Sequence, residues 1–389
     1  MLSKTTLLML ATFSLAFASQ IQEVDADDTN IRCWGENTDG QCDVPAGVGA
    51  PGNRVTLVAA GGAHTVVVLE DGSLACWGQN DDGQSDIPRG VGDPPNLVKA
   101  IAAGWKHTVV VLEDGSVHCW GDNSYGQCTV PSGVGEPGKL VATVSAGANH
   151  TVAVLEDGSL AMWGDNSMNQ LDVPPGLGEP PHQVSMVAAG GFHTIALLED
   201  GSLACWGDNG FDQLNVPSGV GAPGNPVASI AAGAAFSVAL LVDGSVACWG
   251  QNSDGQCNVP SFMGPPHFPA SAIAAGSSNT VGVFKDGHAL ASWGDYTHHQ
   301  TDYPSDLTAP ENRVTTIAAG GVFVIALIVK ESWSVPGDFD GDGALDGADY
   351  IAIREHLGIC AADIDANEVV DGVDLSFVLG SWGSCTTSP

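Results

Sequence analysis

Asp338, Asp340 and Asp342 alternate ahead of Gly343, and Asp346 and Asp349 follow at the ninth and twelfth positions of the same run. Hard carboxylate oxygens at that spacing, joined by the main-chain carbonyl of Ala344, form the ligand set that calcium takes from a twelve-residue loop. Asp363, Asp365, Asn367, Asp371 and Asp374, with the carbonyl of Val369, repeat the pattern 25 residues later, so two Ca2+ ions are expected. Glu368 stands where the second loop needs its turn glycine, which makes the second site the weaker one. Apolar Leu345 and Val370 recur at matching places, which a merely solvated acidic tail does not explain. Ala348–Leu357 and Val373–Leu379 read as short helices after the two loops, and Cys360 and Cys385 follow them as a potential clamp.

His64, His107, His150 and His193 recur at a single place in four successive units. Imidazoles held on one arc are candidate metal or anion ligands. The structural alternative is that each opens a strand and satisfies neighbouring backbone groups; Phe236, Asn279 and Phe323 at the same place in the other units favour it. Cys33/Cys42, Cys119/Cys128 and Cys248/Cys257 share a spacing of nine, whereas Ser85 and Leu214 replace the second member after Cys76 and Cys205. Three short disulfides and two buried thiols are expected, each bridge contributing on the order of 2–3 kcal/mol by loop-closure entropy. Metal ligation by these pairs is the rival reading. Glu70-Asp71 and its copies are turn residues rather than an acid–base pair, because adjacent side chains of a strand point apart. Gly47–Gly52, Gly133–Gly138 and Gly219–Gly224 match a G-x-G-x-x-G spacing, but each contains proline and none opens a helix after a strand. No catalytic constellation stands out, so the chain is read as a non-enzyme.

What positions these residues is a repeat. Trp-Gly recurs at Trp34, Trp77, Trp120, Trp163, Trp206, Trp249 and Trp293, and Ala-Gly keeps the same beat from Gly61 to Gly320. Within a unit, β-branched runs such as Val55–Ala60 and His64–Glu70 are followed by Asp71-Gly72 and Ser73–Trp77, a hairpin pattern that predicts a two-residue type I′ turn. Six units are complete. The seventh, Arg313 to Lys330, lacks its Trp-Gly strand, while Ile31–Gly35 is a Trp-Gly strand with no hairpin before it. The two ends therefore complete one blade. The expected fold is all-β: a seven-bladed β-propeller over residues 29–332, closed by N- and C-terminal strands, plus a small α-helical calcium-binding domain over 336–386.

Composition agrees with that class. Against 45 Asp+Glu stand 11 Lys+Arg, a net charge of −34, which argues against nucleic acid as a partner. With 44% apolar and 14% charged residues the chain has material for a core. Lys4, the apolar run Thr6 to Phe17 and Ala16-Phe17-Ala18 read as a signal peptide over residues 1–18. Export to the medium or cell surface, without membrane insertion and as a monomer, is expected.

The units AAGGAHTVVVLEDGSLACWGQNDDGQSDIP and AAGGFHTIALLEDGSLACWGDNGFDQLNVP resemble the regulator-of-chromosome-condensation repeat family. They are most similar to its secreted bacterial branch, which includes β-lactamase-inhibitory propellers. The resemblance spans about residues 30–330 and implies a propeller; the signal peptide and acidic balance set aside the nuclear exchange role of the family's namesake. The segment after Pro336 resembles a type I dockerin, which implies calcium and a cohesin-like or cell-envelope receptor, although Gly347-Ala348 and Gly372-Val373 lack the polar pair that dockerins often present. The leading expectation is an exported binding propeller that meets a protein partner on its rim, through the loops Glu36–Gln41, Gln79–Gln84, Asp122–Gln127, Asp165–Gln170, Asp208–Gln213 and Gln251–Gln256. The alternative is a component of an extracellular polysaccharide-degrading assembly.

Overall fold

A computed structural model describes residues 29–330 except 267 and 310. The expected signal peptide and both calcium loops, Asp338 to Asp349 and Asp363 to Asp374, lie outside these residues. Seven three-stranded antiparallel sheets follow one another around a ring. Blade 1 comprises inner strand Val55–Ala60, middle strand His64–Leu69 and outer strand Leu74–Gly78. Blades 2 to 6 repeat this order from Val98, Val141, Val184, Val227 and Ala270. Blade 7 is composite: inner strand Asn312–Ala319 and middle strand Phe323–Lys330 take Ile31–Gly35 as their outer strand. Ile31 pairs with Leu327 and Gly35 with Phe323, so both chain ends share one sheet as expected.

The middle strands explain the apolar runs. Blades pack face to face, so these strands are covered on both sides, and all six residues of each middle strand from blade 1 to blade 6 are buried. A strand buried on both faces has no reason to alternate polar with apolar residues. The core is accordingly a series of packings between neighbours. Val67, Leu69 and Trp77 of blade 1 meet Ile31, Phe323, Ile325 and Leu327 of blade 7, and Val281, Val283 and Leu290 of blade 6 meet Val324, Ala326 and Ile328 on its other side. Arg32 on the outer strand of blade 7 forms an ion pair with Asp306, which sits in the short 3-10 turn Ser305–Thr308 between blades 6 and 7.

The hairpin differs from the two-residue turn expected. The Gly72 amide donates to the Leu69 carbonyl at 2.9 Å and the Leu69 amide to the Ser73 carbonyl at 2.9 Å, which leaves Glu70, Asp71 and Gly72 in the loop. Gly72 has φ 82° and Asp71 is not in the positive-φ region, so the requirement of type I′ for two such residues is not met. Glu70 reads as the end of the strand in sequence, yet it is the first loop residue. Asp71 accepts from the Ser73 amide at 2.9 Å and hydroxyl at 2.6 Å, and the Asp-Gly-Ser copies at Asp114, Asp157, Asp200 and Asp243 do the same.

All three expected disulfides are present, Cys33–Cys42, Cys119–Cys128 and Cys248–Cys257, with Cα atoms 5.2, 5.0 and 5.0 Å apart. Cys76 and Cys205 are free thiols, half-buried, and burial pushes both up to about 12.

Candidate functional site on the loop face

Cross-strand pairing of His64 with Gly78 sets the Ala-Gly-x-x-His turn and the loop after Trp-Gly at the same end of a blade, while the Asp-Gly hairpins lie at the other. One face of the ring is therefore built from fourteen loops, two per blade. They are held from beneath by a hub at each blade boundary. The Gln41 carbonyl accepts from Trp77 Nε1 and from Thr65 Oγ1, both at 2.9 Å, across the junction between blades 7 and 1. Gln84, Gln127, Gln170 and Gln213 do the same for the next four blades, and the Gln300 carbonyl takes Trp34 Nε1 at 3.0 Å across the closing junction. This is why Trp-Gly and Gly-Gln travel together: the indole of one blade needs the loop of the blade before it. The asparagine of Trp-Gly-x-Asn closes six of the seven loops, as when Asn37 Oδ1 accepts the Cys42 amide at 2.8 Å.

The four histidines belong to this framework. Each is fully buried at the start of its strand. His64 Nε2 lies 2.9 Å from Thr108 Oγ1, and His107, His150 and His193 make the same contact with Thr151, Thr194 and Ser237 of the following blade. Thr108 spends its one hydroxyl proton on the Gln84 carbonyl at 2.8 Å, so the imidazole must donate from Nε2, while buried Nδ1 has no acceptor for a second proton, which favours the neutral ring. The expected backbone partner is thus replaced by a hydroxyl of the next blade. The imidazoles are held far below their usual value, His64 and His150 near 3 and His107 and His193 near 4, in each case chiefly by burial. A Cβ on Gly61 would overlap the His64 ring and the Gly104 carbonyl, which ties glycine to the motif. Among the described residues no three His, Cys, Asp or Glu side chains gather as a metal set.

At the ring's axis this face opens into a cavity of about 360 Å³, walled by the Ala-Gly pairs that end the seven inner strands. Its rim is a closed girdle of main-chain hydrogen bonds from blade to blade, beginning with the Gly62 amide on the Gly104 carbonyl at 3.1 Å and ending with the Gly321 amide on the Gly61 carbonyl at 3.0 Å. No lining residue carries a carboxyl, imidazole, thiol or ammonium group, and the one side-chain hydroxyl is that of Ser277. Its larger side chains are Trp105, Asn149 and Phe192.

Trp105 and Phe192 are exposed, and with them are Tyr125, Met168 and Phe211. The last three occupy one equivalent loop position in blades 2, 3 and 4, where the loops of blades 7, 1 and 5 carry Asp39, Asp82 and Asp254. Five large apolar side chains therefore form an arc over three consecutive blades. Lys106, beside Trp105, is paired with Asp82 at 2.8 Å, which leaves the face predominantly acidic. Burial pushes the Asp122 carboxyl up, but hydrogen bonds from Ser124 and Gln127 and the nearby Lys106 hold it below its usual value. Sequence reasoning locates these loops as variable without singling out the arc. Setting the repeats in register exposes the signal: Trp105 stands where the other units have Gly62, Ala148, Gly191, Ala234, Ser277 and Gly321.

The RCC1-like domain matches residues 30–327. The chain belongs to the RCC1-like domain family. Among solved structures this RCC1-like ring is similar to Prp20p of Saccharomyces cerevisiae, studied for its binding to Gsp1p and histones, with 20% identity and a TM-score of 0.65 over 79% of this chain and 93% of that one. Human WBSCR16 shares 18% identity with a TM-score of 0.59, over 78% of this chain and 99% of that one. The ectodomain of the Arabidopsis thaliana receptor kinase ACR4 shares 22% with a TM-score of 0.53, over 71% and 92%. Likeness at this level shows a common fold. No curated protein matches the chain.

Proposed function

We propose that this RCC1-like propeller is an exported, non-enzymatic binding protein that engages a protein partner through the loop face, with its acidic C-terminal segment, calcium-loaded, serving as a tether to a receptor. The observation that carries the binding reading is the arc of Trp105, Tyr125, Met168, Phe192 and Phe211. Five of the exposed large apolar residues of this face gather in three adjacent blades, with Tyr296 of blade 6 standing apart, and exposed apolar patches with polar surroundings mark interaction surfaces. Prp20p, of the same fold, binds proteins. The carboxylates around the arc favour a partner with a basic surface and apolar anchors. Inhibition of an exported enzyme is one form such binding takes. Calcium loading through Asp338, Asp340, Asp342, Asp346 and Asp349, and through the second loop, rests on sequence alone.

The test is capture of exported proteins on immobilised wild-type protein beside a Trp105→Ala/Tyr125→Ser/Phe211→Ser variant. All three side chains are exposed, so the fold is retained. A specific partner should be held about 30-fold more weakly by the variant, the loss typical of removing central anchors. Equal retention by the two proteins would set the arc aside as the binding surface.

A further inference from the structure

The loops of this face share one frame but are not anchored to the same depth. In blade 2 the Tyr125 amide donates to Gln127 Oε1 at 2.9 Å, the Gln127 carbonyl accepts from Thr151 Oγ1 at 2.9 Å, and Thr151 in turn accepts from His107 Nε2 at 3.0 Å. Three hydrogen bonds thus run from the backbone of an exposed residue to a fully buried imidazole. Blade 3 repeats the relay from Met168 through Gln170 and Thr194 to His150, and blade 4 from Phe211 through Gln213 and Ser237 to His193. In blade 1 the relay begins at Asp82 and ends on His64.

The other three blades do not complete it. In blades 5 and 7 the first two bonds form, from Asp254 through Gln256 to Thr280 and from Asp39 through Gln41 to Thr65, but Phe236 and Phe323 have no proton to give the hydroxyl. In blade 6 the His298 amide reaches Gln300 Oε1 at 2.8 Å, yet Val324 stands where the other blades supply the hydroxyl. Unpartnered buried groups gather in the same sector: among the described residues Gln256 Nε2, both amide atoms of Asn279, Trp293 Nε1 and Asn312 Oδ1. Phenylalanine fills the histidine's place without stranding a nitrogen, whereas each of the four imidazoles leaves its buried Nδ1 unpartnered, which is unfavourable. Packing alone therefore does not require histidine in blades 1 to 4. What coincides with it is the arc: Tyr125, Met168 and Phe211 head three of the four complete relays, and Trp105 and Phe192 stand two residues and one residue ahead of His107 and His193.

We propose that His64, His107, His150 and His193 are positioning residues: through the hydroxyl of the next blade they fix the loops of blades 1 to 4 as a rigid sector that holds the arc in place before a partner arrives, while blades 5 to 7 form the compliant part of the ring. A hydroxyl that both donates and accepts is held in one rotamer, and a loop ordered beforehand loses less freedom on binding. The rigid sector stands on these hydrogen bonds alone; its service to binding rests on the reading of the arc as the partner surface.

Residue-resolved hydrogen exchange of the full chain at neutral pH tests the sector without any partner. Protection of the Tyr125, Met168 and Phe211 amides, corrected for intrinsic rates, should exceed that of Asp39, Asp254 and His298 about ten-fold. His107→Phe, which installs the residue found in blades 5 and 7, should lower the protection of Tyr125 about ten-fold and leave Phe211 unchanged. Phe236→His offers Thr280 the missing donor and should raise the protection of Asp254 by a similar factor. A merely structural histidine would change overall stability without this local, reciprocal pattern. Equal protection around the ring, or loops indifferent to both substitutions, would overturn the proposal. His107→Phe should also weaken capture of the partner about five-fold with all five arc side chains in place. Capture unaffected by His107→Phe but weakened by Trp105→Ala/Tyr125→Ser/Phe211→Ser would overturn the positioning role; capture unaffected by either variant would remove the binding reading and leave the rigid sector standing.

Discussion

At the scale of single residues, a buried imidazole has one proton to give, and His64, His107, His150 and His193 each give it sideways to the next blade. His107 donates to Thr151, whose hydroxyl is already committed to the Gln127 carbonyl. Only the neutral ring suits that site, and burial holds His107 near 4 against an ordinary value of 6.5. As pH falls below 6.5 the unfolded chain takes up protons before the folded one, so stability is lost progressively from there down to the folded values. At pH 5 this amounts to about 2 kcal/mol per histidine relative to neutral pH. Replacing His107 by Phe, which blades 5 and 7 carry at that place as Phe236 and Phe323, should lessen the acid loss in urea unfolding by about that amount. An undiminished loss would mean that His107 is protonated in the folded ring. The periodicity of these histidines is plain in the sequence, but their partners are not: Thr108 sits 44 residues after His64, and only the ring brings it within reach.

At the scale of elements, six of the seven Trp-Gly strands are each fastened by one indole hydrogen bond to the loop of the blade before it. Trp120 Nε1 donates to the Gln84 carbonyl at 3.0 Å, whereas buried Trp293 Nε1 has no partner. Trp120→Phe and Trp293→Phe remove similar apolar bulk but different hydrogen bonding. The first should cost about 1 kcal/mol more than the second in chemical unfolding. Equal losses would show that the indole bond is not what joins loop to blade. The strands themselves are legible in their apolar runs, since a strand covered on both sides shows no alternation. The hairpin is not, because Glu70 continues the run in sequence while the ladder ends at Leu69. The arc escapes sequence reasoning for a related reason: Tyr125, Met168 and Phe211 vary as loop residues do, and their common exposure is a property of the assembled face.

At the scale of the whole molecule, the ring has a seam where Ile31–Gly35 enters blade 7. The offset between the Trp-Gly and Ala-Gly markers at the two chain ends makes this closure readable from the residues alone, because neither end by itself completes a sheet. The seam carries the same devices as the other junctions: the Trp34 indole on Gln300, the Gly321 amide on the first blade, and the Ile31 side chain within the core shared by blades 7 and 1. The fixed spacing of the loops on the face depends on this seam staying shut. Hydrogen exchange of the full chain at neutral pH reads it directly. Closure predicts that the amides of Arg32 and Trp34 exchange as slowly as those of Ala326 and Val324 that they pair with; exchange of Arg32 and Trp34 within seconds, while the other blades stay protected, would contradict it.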